Sequence, residues 1–166
     1  MTAIPDRHAW ALDLLGIQSG DLVLEVGNGH GIATGLAAAA AAKVVAIDRS
    51  DKMAAACAKR NGAAVSAGRL EVLAGVLESA AFSKPFDKAV AVNVDFPLHP
   101  DRGWAAKFHA ALKPGGLLVL VLEAPPGAPS SRFALAATQK LEVSGFIAEI
   151  LAGQGAVGAV RARRIP

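Results

Sequence analysis

The sequence predicts an α/β fold, a mostly parallel sheet covered by helices on both faces, in a single domain over residues 1–166. Three observations lead there. Short runs rich in Val, Ile and Leu recur along the chain and are continuous rather than alternating, the pattern of strands buried on both faces. Stretches of helical propensity separate them, so strand and helix alternate, as right-handed crossovers in a parallel sheet require. The first apolar run ends in Gly27-Asn28-Gly29-His30-Gly31, a flexible turn at the carboxyl end of a strand, where such sheets bind ligands. A chain of 166 residues is the size of one compact domain.

The elements follow in order. Residues 1–20 supply a short N-terminal helical cap carrying Trp10 and, one turn on, Leu14. Strands are expected over 22–26, 44–47, 70–73, 89–94, 117–122, 147–151 and 157–163, and helices over 32–42, 50–60, 101–112 and 131–144, with a weaker one near 76–82. The alanine run 37–42 reads as helix with a small-residue packing face, because alanine has the highest helix propensity. Ser50 and Asp101 suit N-caps, and Pro114-Gly115-Gly116 stops one helix and turns the chain into the next strand. Trp104, Phe108 and Leu112 repeat at helical spacing and read as core. The last two strands leave no room for a helix, only Gly153, Gly155 and Gly158 in the gap, and so form an antiparallel hairpin at the sheet edge.

Composition removes several functional classes. At 53% hydrophobic and 19% charged, the chain can fill a core, which at ~150 residues means burying about 70% of its unfolded surface. Mean hydropathy is +0.40, yet the purest apolar run, 117–122, falls far short of the ~20 residues that span a bilayer. Residues 1–10 hold Asp6, Arg7 and His8 and lack a secretory core, so a cytoplasmic location and no membrane association are expected. The single cysteine, Cys57, allows no internal disulfide, reads as inert packing and, with no Cys/His pair at ligand spacing, implies no metal. A net charge of +3 comes largely from Arg161, Arg163 and Arg164, a solvated strand end, and with 5% aromatic residues no nucleic-acid partner is expected.

The glycine turn carries the chemistry. Glycines permit positive φ in a tight turn and let a ligand lie against bare backbone, and the helix behind offers free N–H groups to a carboxylate or phosphate. A dinucleotide fingerprint counted from Gly27 and Gly29 places Ile32 where its third glycine belongs, which disfavours nucleotide-dependent oxidoreduction. Instead Glu25 precedes the turn by two residues, and a carboxylate there repels a pyrophosphate and attracts an ammonium group. The second strand ends in Asp48, 21 residues after Gly27, where an acidic side chain accepts hydrogen bonds from a ribose diol. A ligand with a ribose, an ammonium and a carboxylate, and no required phosphate, matches S-adenosyl-L-methionine.

The chain resembles a small class I S-adenosylmethionine-dependent methyltransferase, of the broad group that includes quinone-biosynthesis C-methyltransferases. Four stretches in order carry the resemblance: Gly20-Asp21-Leu22-Val23-Leu24-Glu25-Val26-Gly27-Asn28-Gly29-His30-Gly31, then Val45-Ala46-Ile47-Asp48-Arg49-Ser50, then Phe86-Asp87-Lys88-Ala89-Val90-Ala91-Val92-Asn93, then Leu112-Lys113-Pro114-Gly115-Gly116. It implies a Rossmann-like, seven-stranded sandwich with strand order 3-2-1-4-5-7-6 and the last strand antiparallel between the fifth and sixth. It further implies that Glu25, Gly27, Asn28, Gly29, His30 and Gly31 hold the methionine end, Asp48 the ribose, and Arg49 a face of the adenine. Asn93 would face the reaction centre, and the N-terminal helix with Trp10 would lie over the cofactor. Such enzymes commonly bind the adenine amino group with an acidic residue after the third strand. Here Val76 stands there, leaving the backbone of Gly75, Val76 and Leu77, or the displaced Glu78, to take over.

Methyl transfer is an in-line displacement, so alignment supplies most of the catalysis and a base is needed only for a nucleophile that stays protonated. Asp95 and His99, in the proline-stiffened stretch after the fourth strand, are the candidates for base or substrate contact. Residues 125–129, rich in proline, could shape the acceptor entrance. The expected partner is a small-molecule methyl acceptor, and a homodimer is compatible with a shallow site completed by a second subunit. The alternative is a non-catalytic cofactor-binding module serving another enzyme.

Overall fold

The computed structural model describes residues 6–99, 102–153 and 155–166. Its strands are β1 (Leu22–Val26), β2 (Lys43–Asp48), β3 (Leu70–Ala74), β4 (Phe86–Val92), β5 (Leu112–Glu123), β6 (Phe146–Ala152) and β7 (Val157–Arg164). The helices are α1 (Asp6–Leu15), α2 (Ile32–Ala40), α3 (Asp51–Arg60), α4 (Gly62–Ser66), α5 (Trp104–Ala111) and α6 (Ser130–Val143). One sheet runs β3-β2-β1-β4-β5-β7-β6. Its first five strands are parallel, and β7 is antiparallel to both β5 and β6. This is the order the resemblance implies. The order of strand addition reverses between the parallel neighbours β1 and β4, so a crevice opens above that pair at the carboxyl ends of the strands.

Two apolar layers hold the helices to the sheet. On one face Leu24, Ala89, Leu118 and Leu120 meet Trp104 and Phe108 of α5 and Leu141 of α6. On the other, Val23, Val90 and Val119 meet Ala11 and Leu15 of α1 and Ala37 and Ala38 of α2. Each fully buried large side chain contributes about 1.5–3 kcal/mol, and the central strands β1, β4 and β5 hold most of them. The alanine run lets α2 approach the sheet closely. Helix α3 is capped by Ser50, whose Oγ accepts from the Met53 N–H at 3.3 Å.

Several elements differ from the sequence expectation. The edge strands β3 and β6 are half exposed rather than buried on both faces, because each has a neighbour on one side only. The stretch 76–82 folds as a single 3₁₀ turn, Leu77–Ser79, and α4 is an additional short helix. Helix α5 begins at Trp104 after Gly103, which sits at φ 83°, and the expected cap Asp101 lies outside the described residues. Pro114-Gly115-Gly116 does not precede the strand but bulges within β5, where the register jumps from Phe86↔Leu112 to Lys88↔Leu117. A Cβ on Gly116 would stand 2.8 Å from the Lys113 carbonyl, so the bulge closes only around glycine. Helix α1 packs against β4 and β5, and its Trp10 ring lies against Gly153. Trp10 therefore covers the hairpin rather than a cofactor. Arg163 and Arg164 bond the carbonyls of Gly115 and Leu112, at the end of the sheet away from the crevice. Among the described residues no helix is long and apolar enough to cross a membrane.

Candidate functional site

A cavity of about 890 Å³ opens above the carboxyl ends of β1, β2 and β4, near the top of the ~300–1,000 Å³ range of small-molecule sites. Its floor is the glycine turn. Gly27 has φ 77° and donates its N–H to the Ile47 carbonyl at 2.8 Å, which ties the turn to β2. A Cβ on Gly27 would stand 2.8 Å from Val94 Cγ1. Gly29, at φ 49°, has nothing within 4 Å of its missing side chain, so its backbone is open to a ligand.

Asp48, on the cavity wall, is fixed from two sides. Its Oδ2 accepts the Gly29 N–H and its Oδ1 accepts the Ser50 N–H, both at 2.9 Å. Each oxygen keeps a further lone pair, so the carboxylate is oriented and still able to receive a pair of hydroxyls. Asn28 is 6% exposed and lines the same cavity, and its amide makes no well-formed hydrogen bond among the described residues beyond a weak interaction with the Cys57 thiol. A buried amide so poorly paired is costly unless a ligand completes it. His30 and Arg49 also line the cavity, as do Gly75, Val76, Leu77 and Glu78. Val76 is 46% exposed and offers an apolar surface where an acidic residue is common, with Glu78 two residues on.

Asn93 closes the far side. Its φ of 56° is left-handed, a strained conformation for a residue with a side chain, and its N–H bonds the Val121 carbonyl at 2.7 Å. Beyond it the 3₁₀ turn Phe96–Leu98 brings Asp95 and His99 together, His99 Nε2 lying 3.1 Å from Asp95 Oδ2. The hydrogen bond from His99 holds the Asp95 carboxyl below the usual carboxylate range, against a smaller opposing effect of burial.

Two expected ligand contacts are not there. Glu25 does not line the cavity. It is 2% exposed beneath the turn, accepts the Thr34 hydroxyl of α2 at 2.5 Å, and is pushed up to about 7, chiefly by burial. The β1 pleat turns this side chain away from the crevice, so it does not reach an ammonium group directly. Gly31, φ 80°, also faces away: a Cβ there would stand 2.6 Å from both Cys57 Sγ and Asn61 Nδ2. Its lack of a side chain serves the packing of α2 on α3. Residues 125–129 do not line the cavity either; Ala128 packs with Leu122 and Phe133.

The sequence reading missed Ile32, Ser50, Met53, Arg7, His8, Arg102 and Trp104, all of which line the cavity. Ser50 and Met53 follow Asp48 so closely that its position was a signal for them. Arg7 and His8 had none in their own residue types, since α1 reaches the site through the packing of Ala11 and Leu15 on the sheet, with Arg7 paired to Glu123 at the end of β5 at 2.9 Å.

Together, an oriented carboxylate, a poorly paired buried amide and bare glycine backbone fit the ribose and amino-acid parts of S-adenosylmethionine. The methyltransferase-domain family model matches residues 23–116, which hold the glycine turn, Asp48 and the 93–99 turn. The chain belongs to this methyltransferase family. Its fold is that of the class I enzymes, and its cofactor is S-adenosyl-L-methionine. No curated protein matches the sequence significantly. Among solved structures, the methyltransferase is similar to the N-methyltransferase NodS of Bradyrhizobium japonicum in complex with S-adenosyl-L-homocysteine, at 20% identity and a TM-score of 0.77 over 96% of this chain and 86% of that one. A SAM-dependent O-methyltransferase of Thermotoga maritima aligns at 17% identity and 0.80, over 100% of this chain and 67% of that one. An rRNA methylase of Streptococcus thermophilus aligns at 16% and 0.75, over 99% and 100%. At these identities the likeness speaks for the fold.

Proposed function

We propose that this methyltransferase moves the sulfonium methyl group of S-adenosylmethionine onto a small-molecule acceptor. The observation that carries the reading is the continuity of one cavity from Asp48 and Asn28 to the turn that bears Asp95 and His99. Bound at the first end, the cofactor supplies an electrophilic methyl carbon; the chain's residues supply position. Asp48, held by the Gly29 and Ser50 N–H groups, receives the ribose hydroxyls. Asn28 and the Gly29 backbone receive the amino-acid part, and Val76 gives the adenine an apolar face. Asn93 lies between the two ends, in a conformation fixed by its bond to β5.

A cavity of about 890 Å³ that also has to hold the cofactor leaves room for an acceptor of small-molecule size. The quinone-biosynthesis C-methyltransferases, whose motifs this chain resembles, indicate one source of acceptors to test. The lone, buried Cys57 suits a reducing, cytoplasmic setting.

Calorimetric titration with S-adenosylhomocysteine tests the cofactor end: Asp48→Ala weakens binding at least tenfold, as the loss of one charge-assisted hydrogen bond of about 1.5–3 kcal/mol requires. Labelled S-adenosylmethionine incubated with acceptor pools tests the other end, through acceptor-dependent release of S-adenosylhomocysteine. Binding without turnover on any pool would assign the chain to a cofactor-binding module instead.

A further inference from the structure

Building on the methyltransferase reading, we propose that His99 is the proton acceptor of the reaction, that Asp95 is its positioning residue, and that the methyl acceptor is a hydroxylated planar ring ionised in the site. The Phe96–Leu98 turn sets Asp95 and His99 four residues apart on one side of the chain, with Nε2 and Oδ2 at 3.1 Å. An ionised carboxylate has no proton to give, so His99 donates through Nε2–H, and in the neutral imidazole Nδ1 is then the nitrogen that carries the lone pair. That is the tautomer a general base needs. That Nε2–H bond lowers the Asp95 carboxyl further below the ordinary carboxylate range, so the form that faces His99 near neutral pH is the carboxylate.

The turn is anchored from behind. Lys140 of α6 donates to the carbonyls of His99 and Pro97, at 3.0 and 3.4 Å, and the His99 N–H bonds the Phe96 carbonyl at 3.3 Å. His99 is thereby held at the cavity by its backbone while its ring stays accessible, at 58% side-chain exposure. The charged groups around it are Asp95, Lys140 from α6, Arg102 in the same cavity wall, and Arg49, whose charge acts on Asp95.

The wall beside the pair indicates the acceptor. Phe96 is the partly exposed ring on the cavity wall, backed at 4.9 Å between centroids by the buried ring of Trp104, and it offers one aromatic face to a flat ring. Arg102 lines it too and has no ion-pair partner among the described residues. An unpaired guanidinium stabilises an oxyanion and disfavours an ammonium. A neutral amine attacks without prior loss of a proton, whereas a ring hydroxyl is a weak nucleophile until ionised. In the step proposed, the O–H bond breaks and its proton passes to His99 Nδ1. The oxygen electron pair forms the new O–CH₃ bond, and the pair of the broken CH₃–S bond remains on sulfur, which leaves as a neutral thioether.

The test uses the protein saturated with S-adenosylhomocysteine and 4-nitrophenol as probe, with the absorbance of the phenolate read against pH. Binding to the wild type raises the ionised fraction of the probe at least threefold at a pH below its free midpoint. His99→Ala and Asp95→Asn each abolish most of that gain while the calorimetric Kd for S-adenosylhomocysteine stays within twofold. Failure of the probe to bind, ionisation that the two substitutions leave unchanged, or tighter binding of 4-nitrobenzylamine overturns the proposal. Absence of S-adenosylhomocysteine binding to the wild type is a separate result that overturns the methyltransferase reading itself.

Discussion

Replacing Glu25 with glutamine removes a charge from the core of the cofactor-binding half and keeps its shape. The wild-type carboxyl is 2% exposed, and its pKa rises from an ordinary 4.5 to about 7 because burial penalises the ionised form, the Thr34 hydroxyl bond opposing this and the Asp48 charge adding to it. An acid whose folded pKa is raised contributes most below its unfolded value, and that contribution is lost as pH climbs toward the folded one. Ionisation of Glu25 in the unfolded chain, while the folded carboxyl keeps its proton, therefore lowers folding stability progressively between pH 4.5 and about 7, by roughly 3 kcal/mol in all at ~1.4 kcal/mol per pH unit. Glutamine has no such proton to lose, and its carbonyl still accepts from Thr34. Urea unfolding from pH 5 to 8 reads the difference. The variant gains on the wild type as pH rises, reaching a midpoint about 1–3 M higher at pH 8 for m-values of ~1–3 kcal/mol/M. His8 and His109, both lowered chiefly by burial, lose stability on the acid side of 6.5, but they are common to both proteins and cancel. A wild-type-minus-variant difference that does not change with pH would refute the argument.

The same substitution separates the sequence view of Glu25 from the structural one: Glu25→Gln keeps S-adenosylhomocysteine affinity within about threefold by calorimetry, whereas Asp48→Ala loses at least tenfold, about 1.4 kcal/mol. Gly31→Ala forces a Cβ to 2.6 Å from Cys57 Sγ and 3.0 Å from Cys57 Cα at φ 80°. It costs at least ~2 kcal/mol and lowers the melting temperature by about 4 °C or more; an unchanged melt would show that α2 and α3 can separate freely. Cys57 is 0% exposed, with its thiol pushed up by burial ahead of its opposing bond to Thr34. It should react with Ellman's reagent only as fast as the protein opens, and immediate stoichiometric colour from the native protein would contradict its placement.

Much of the site was legible because the chemistry sits at strand ends. Gly27, Gly29 and Asp48 follow apolar runs directly, and in a parallel sheet every such end points to one edge. Asn93, Asp95 and His99 follow the fourth strand for the same reason. Glu25 and Gly31 were misread because linear order gives proximity but not direction: one residue along a strand inverts the side chain, and one turn of loop points Gly31 at α3 instead of the cavity.

The sequence by itself determined the alternation of strands and helices and the glycine turn at the carboxyl end of the first strand, since these depend on local periodicity and backbone freedom, while the strand order came from the family resemblance. Tertiary structure alone decided that Arg7 and Trp104 border the cavity, that Trp10 covers the β6–β7 hairpin, and that Glu25 is buried against Thr34. Those outcomes depend on which faces of distant segments meet once the core closes, and close packing fixes that choice through contacts between residues far apart in the chain.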